Sequence, residues 1–409
     1  MKASEAVMSC SKYLRLIAAP AILTGVAVAS AATQQVKTIV VIALENHNWT
    51  QPANQFDGRI QQIYKNLNAP FLNSLVDGTA SATIDGQKVD ISKQVAYAAD
   101  YHNALATASG ENAHIHPSEP NYIWAEAGSN LGVTNDNDPY SPKGQTVQDT
   151  DEHLCAFLMK AGKTWKSYQE DIDLAQNSAG QLTNQPLPKN RWTVPLVSFV
   201  GTFAPGFTNK YNGSTQYAYA TKHNPMAFFV DTNGDDISTV GNPLTTHYAP
   251  LQQLAVDLAN NSVADYNWIT PDLYNDMHTA LPGGYKGLTG DAANIKQGDD
   301  FLSQIVPMIM ASKAYKDGGA IIIWCDESEP DAHGDNPDRF EHTIPEIVIS
   351  PLAHRNVAGK PFASDENLSH SSDLRTLQEI FHVGPYLGDA AKATDLSSLF
   401  VPGAIPKKP

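Results

Sequence analysis

Apolar runs of strand length recur along the chain, and two of them stop at paired oxygen-bearing side chains. Residues 36–44, interrupted only by Lys37 and Thr38, end at Glu45-Asn46, and residues 320–325 end at Asp326-Glu327. Further strands are predicted over residues 227–230, 266–270 and 346–350. Between them the apolar period lengthens to that of a helix. Leu251, Leu254 and Leu258 share one face, as do Phe301, Leu302, Ile305, Val306 and Ile309. Helices are also predicted over residues 149–160 and 374–381. Strand and helix patterns in alternation predict an α/β fold. The Gly-, Asn- and Pro-rich residues 183–213 read as a long surface insertion, and no repeat or linker divides residues 32–409.

The first thirty-one residues have a different character. Lys2, Lys12 and Arg15 precede an apolar stretch over residues 16–29, and Ala29-Ser30-Ala31 offers a small-residue cleavage site. This predicts a signal peptide and a periplasmic or secreted protein. The stretch falls short of the roughly twenty residues a membrane span needs and contains Pro20 and Gly25. Cys10 would leave with it. Of the two cysteines that remain, Cys155 and Cys325, the second sits inside a strand-like run, which favours buried thiols over a disulfide. A formal charge of −16 disfavours electrostatic binding of nucleic acid or an anionic membrane surface.

Adjacent carboxylates after a buried strand are costly without a cation, so Asp326-Glu327 points to a metal ion. Two such strand ends facing one crevice would form a site, since ligands of open α/β sheets bind beyond the carboxyl ends of the strands. Ser118 lies between Pro117 and Pro120, which could aim its hydroxyl; a helix-capping serine explains it equally well on spacing alone. His223-Asn224-Pro225 could hydrogen-bond an anion or form a turn. Asp272, Asp276 and His278 form an acid-acid-imidazole cluster suited to a zinc-like or manganese-like ion, or else a solvated loop. His370, among Ser369, Ser371 and Ser372, is a further candidate ligand or a residue beside a helix cap.

In this order, the segments resemble a bacterial phosphoesterase family that includes acid phosphatases and phosphatidylcholine-type phospholipases C, within the alkaline-phosphatase-like superfamily. The resemblance spans residues 36–383 and implies a three-layer α/β/α sandwich with a central, mostly parallel sheet. Ser118 fits a Ser/Thr-x-Pro-Asn nucleophile stretch completed by Pro120 and Asn121. The resemblance implies that Glu45, Asn46, Asp326 and Glu327 hold one metal beside Ser118. Asp276 and His278, with Asp272 and His370, would complete a second site or bind phosphate directly, and His223 and Asn224 would hold a non-bridging oxygen. One or two divalent ions are implied, whether zinc, manganese, calcium or magnesium. The chain departs from two-zinc alkaline phosphatases, because Glu327 stands where those enzymes have His and Asp272 and His278 are not one helical turn apart. The expected activity is hydrolysis of a small phosphorylated substrate through a phosphoserine at Ser118, with His278 or His370 offsetting charge on the leaving oxygen. Monoesters are favoured because phospholipase C relatives usually carry extra C-terminal domains. A phosphodiesterase or phospholipase C is the alternative, and a metal-stabilised secreted binding protein the non-enzymatic one.

Overall fold

The computed structural model describes residues 34–51, 62–103, 116–199, 201–203, 206–239, 241–328, 342–356 and 358–407, so the expected signal peptide falls outside the described residues. Eight strands form the main sheet: β1 (Thr38–Leu44), β2 (Val95–Ala98), β3 (Trp165–Gln169), β4 (Tyr248–Pro250), β5 (Tyr266–Thr270), β6 (Gly319–Cys325), β7 (Glu346–Ile349) and β8 (Phe362–Ser364). Their order is β4-β3-β5-β1-β6-β7-β2-β8. Only β7 runs against its neighbours, β6 and β2, and every other pairing is parallel. Beyond Thr38, β1 is buried at every position, and β6 is buried throughout. Because side chains alternate between faces, such strands must be covered on both sides.

Two groups of helices supply that cover. Helices α1 (Pro70–Asp77), α4 (Gln252–Ala259) and α5 (Asp291–Ala311) pack as one, and α2 (Ser118–Ala127), α3 (Leu154–Lys160) and α6 (His370–Phe381) as the other. The apolar face predicted in α5 is buried at all five positions, from Phe301 to Ile309. The helix expected over residues 374–381 extends back to His370, and the backbone N–H of Ser369 donates to Ser372 Oγ at its start. The α/β class and the mostly parallel sheet agree with the sequence reading. Cys155 and Cys325 are buried and unbridged.

Three expectations need correction. Residues 227–230 are not a strand: Pro225–Phe228 forms a 3₁₀ turn and Val230–Asn233 a short helix. Side chains take part of the backbone, with Thr232 Oγ1 and Tyr248 Oη donating to Met226 O and Asn233 Nδ2 to Ala227 O, while the Gln148 N–H donates to Phe228 O in an isolated bridge that does not extend into a strand pair. The helix expected from residue 149 begins only at Leu154, because His153 is held in extended backbone at φ −149°. Residues 183–213 are not merely surface, since Trp192, Val194 and Leu196 join the main core.

The clamp on His153 is a buried ionic one. Nδ1 lies 3.1 Å from Glu126 Oε2 on α2, and Nε2 lies 2.8 Å from Asp231 Oδ1. Burial alone would depress the imidazole pKa, but the hydrogen bonds to Asp231 and Glu126 outweigh it and raise it above the usual value. Such a group contributes stability that is fully present below the unfolded pKa and is lost as pH rises through the folded one. His153→Gln should therefore lower stability by about 3 kcal/mol in mildly acidic buffer. The difference from wild type should shrink as pH rises above neutrality, measured by urea unfolding across that range.

Candidate active site

Parallel pairing places Leu44 beside Cys325, so the chain leaves β1 and β6 side by side at Glu45-Asn46 and Asp326-Glu327. Asn46 adopts a left-handed φ of 39°, a conformation Asn tolerates better than most residues, and its N–H donates to Asp326 Oδ1 at 3.0 Å. The N–H of Glu45 donates to the carbonyl of Asp276 at 2.8 Å, which draws the loop after β5 to the same corner. Three segments far apart in sequence thus meet at one crevice.

Ser118 is the first residue of α2, which is buried along its whole length. Its Oγ donates to Glu45 Oε2 at 3.0 Å and lies 3.4 Å from Glu327 Oε1 and 3.5 Å from Asn46 Oδ1. The hydroxyl therefore faces the strand ends, and the capping alternative does not apply. One helical turn on, Asn121 and Tyr122 face the same way. Asn121 Nδ2 donates to Glu327 Oε2 at 3.0 Å, and the Tyr122 hydroxyl donates to Glu45 Oε1. His116 Nδ1 lies 2.7 Å from Glu327 Oε1.

His223 and Asp276 close the crevice. Glu45, His223 and Asp276 each present a ligand atom within 4.8 Å of the others. His223 Nε2 is 3.2 Å from Glu45 Oε1 and Nδ1 is 3.2 Å from Asp276 Oδ2, neither in hydrogen-bond geometry. The ring stacks on Tyr122, with centroids 5.1 Å apart. Asp276 Oδ2 and Asp326 Oδ2 are also buried without a hydrogen-bond partner. Burial, then mutual repulsion, pushes the carboxyl of Glu45 well above the ordinary range. Burial likewise raises Asp326, with Glu327 adding to it, and raises Asp276. Burial lowers His223, aided by the charge of Lys222. A set of orphaned carboxylate oxygens around a neutral imidazole must take up either protons or a cation, and its donor types fit a divalent metal.

The structure does not bring together every residue singled out from sequence. Asp272 lies in a separate buried cluster with Glu170 and Asp171. There Asp272 Oδ1 accepts from the N–H groups of Tyr274 and Asn275, while Glu170 accepts from Asn209, Asn275 and the Asp272 N–H, so the cluster is a hydrogen-bonded loop corner. The Asn224 amide is occupied by Ser167 and Tyr219. Both ring nitrogens of His370 are engaged, Nε2 by the backbone oxygen of Asp326 and Nδ1 by Tyr101, which leaves none for a metal or phosphate. His278 sits at the rim, its ring 5.8 Å from that of His223 and its Nδ1 2.8 Å from Thr279 Oγ1. Burial and the Lys222 charge bring its pKa down to about 4.

Sequence reasoning gave no role to Lys222, His116 or Tyr122, which stand within two positions of His223, Ser118 and Asn121. Lys222 Nζ lies 2.9 Å from Asp136 Oδ2, and Asp136 Oδ1 accepts the Glu119 N–H at the start of α2. Burial opposes its charge, but Glu45 and Asp136 keep the ammonium protonated.

Two curated relatives align with part of this chain. It is 27% identical over 171 residues to an acid phosphatase of Aspergillus fumigatus, covering 41% of this chain and 28% of that protein. It is 26% identical over 168 residues to a phosphate-repressible acid phosphatase of Penicillium chrysogenum, covering 40% and 30%. The chain thus spans less than a third of the length of either relative. Among solved structures, a protein of the alkaline phosphatase superfamily from Vibrio parahaemolyticus superposes with a TM-score of 0.44 at 11% identity, over 89% of this chain and 72% of that one. The lipoteichoic acid synthase LtaP of Listeria monocytogenes gives 0.41 at 10%, over 87% and 74%. The model of one family matches residues 27–384, nearly the whole chain, and by that match this protein belongs to the Phosphoesterase family.

Proposed function

We propose that this protein is an exported, metal-dependent phosphoesterase that hydrolyses phosphate monoesters through Ser118. One observation carries the reading: a serine hydroxyl at a buried helix start, 3.0 Å from Glu45, amid carboxylate and imidazole atoms that lack partners. A merely structural ion would not call for that hydroxyl. The two acid phosphatases with which the chain aligns support a monoester over a diester.

Glu45, Asn46, Asp326 and Glu327, with Asp276 and His223, would hold one or two divalent ions. A bound ion would supply Lewis-acid charge to the serine and phosphoryl oxygens. The Ser118 proton points at Glu45 Oε2, the acceptor as Oγ attacks phosphorus and the bond to the leaving oxygen breaks. The start of α2 places the positive end of its dipole beside Ser118, with the Glu119 N–H already held by Asp136, and the Lys222 ammonium adds positive charge near Glu45. Tyr122 and Asn121 fix Glu45 and Glu327 in place. Held near 4, His278 is neutral at neutral pH and serves as a hydrogen-bonding group at the rim, not as a proton donor. Water then displaces the phosphoryl group from Ser118.

Side-by-side turnover of para-nitrophenyl phosphate and its bis-para-nitrophenyl analogue, with zinc, manganese, calcium and magnesium supplied in turn, tests the reading. Faster monoester cleavage is expected; faster diester cleavage would move the assignment to a phosphodiesterase or phospholipase C, and silence on both to a binding protein. Ser118→Ala should reduce kcat on the order of a hundred- to a thousand-fold while metal content, read by atomic emission, stays at the wild-type level. Removing the ion with a chelator should abolish turnover and lower the thermal midpoint, and both should return when metal is restored. In Asp276→Asn, readdition should recover less of either.

A further inference from the structure

Behind Asp326 runs a line of buried polar groups that the proposed chemistry does not use. His370 Nε2 lies 2.7 Å from the backbone oxygen of Asp326, and a carbonyl can only accept, so Nε2 carries a proton. Burial keeps the ring neutral, with its pKa down at about 3, which leaves Nδ1 as a lone pair. The group facing Nδ1, at 3.0 Å, is the Tyr101 hydroxyl, and its single proton must go there. Tyr101 Oη also meets Asp373 Oδ2. With the tyrosine proton already committed, that second contact requires a proton from Asp373.

The surroundings of Asp373 allow this. Glu346, on β7, faces it, and both carboxyls are buried. No hydrogen-bond donor reaches either Glu346 oxygen, and among the described residues no Lys, Arg or His forms an ion pair with either carboxyl. Tyr266, on β5, feels the Asp373 charge, and burial keeps both tyrosines protonated. Two facing carboxyls without a cation hold protons between them. The Glu346 and Asp373 carboxyls repel each other's charge and so share protons between them, and the Asp373 proton reaches Tyr101. Trp324 packs beside the pair, its ring centroid 4.4 Å from that of His370.

We propose that Asp373 is a positioning residue: while protonated, it sets the direction of the chain Asp373 to Tyr101 to His370 to the Asp326 carbonyl, and so holds the end of β6 in its working geometry. For its effect on rate, the inference rests on the phosphoesterase reading. When Asp373 ionises it becomes an acceptor and draws the Tyr101 proton to itself. His370 Nδ1 then faces a lone pair, and the bond to Asp326 is no longer backed. Burial places that step at about 7, so the backed form belongs to acidic and neutral pH.

The decisive variant is Asp373→Asn, whose amide donates to Tyr101 at every pH. The ratio of kcat/KM at pH 8 to that at pH 6 should be low in wild type and rise toward one in Asp373→Asn. Tyr101→Phe, which leaves Nδ1 without a donor, should lower kcat/KM at pH 6 about ten- to a hundred-fold. A second readout needs no substrate. In protein labelled with ¹⁵N-histidine, with the signal assigned by its loss in His370→Gln, the His370 Nδ1 resonance should shift through neutrality in wild type and stay fixed in Asp373→Asn. An unchanged pH ratio together with an identical shift in both proteins would overturn the proposal. Wild type that turns over no phosphoester while its His370 resonance behaves as described would retire the phosphoesterase reading and keep the hydrogen-bond chain.

Discussion

The structure is organised around the cost of burying carboxylates that have no cation of their own. Glu45, Asp276 and Asp326 converge where β1, β5 and β6 end, buried from solvent, and among the described residues Lys222 is the Lys or Arg whose charge acts on all three. Such an arrangement is unstable in isolation unless protons or a metal complete it. What surrounds it reads as a response to that cost. Neutral donors, among them Ser118, Asn121 and Tyr122, each satisfy one carboxylate oxygen, and the start of α2 adds the positive end of a helix dipole. The chemistry proposed for Ser118 uses the same field that makes the site expensive to fold.

Rigidity at this corner comes from the sheet. Parallel pairing fixes the separation of the β1 and β6 ends to within the play of hydrogen bonds, and the left-handed turn at Asn46 locks one end to the other through Asp326. Ser118, the proposed nucleophile, rides on a helix with all ten residues buried, so its position is set by packing along three turns. Behind the strand ends, His370 and Tyr101 form a second layer that grips backbone instead of ligand atoms.

Much of this was legible in sequence because the central strands are buried on both faces and so appear as unbroken apolar runs. The strand ends, Ser118 and the later helices followed from that punctuation. The outer strands were harder to see: β3 carries Ser167 and Gln169, buried but hydrogen-bonded to Asn224, Thr270 and each other, so its pattern does not look like a core strand. Residues 227–230 misled for the converse reason, being apolar and buried yet wound into a turn after Pro225. At the site, types of residue were readable but their partners were not. Asp272 and Asn224 had suitable chemistry, but neighbours distant in sequence occupy them; His223 was read as an anion donor because nothing in its local context reveals Glu45 on one side and Asp276 on the other.

Asn46 and Asp326 touch across 280 positions of chain, and Ser118, His223 and Asp276 come from segments lying between them. Without β6 the proposed ion would lack Asp326 and Glu327. The metal affinity proposed for this site would therefore belong to the assembled sheet and arise once β6 docks beside β1. Capture of an ion at this site would thus be a clock for folding itself: a chain that held one there would already have closed the 280-residue separation between Asn46 and Asp326.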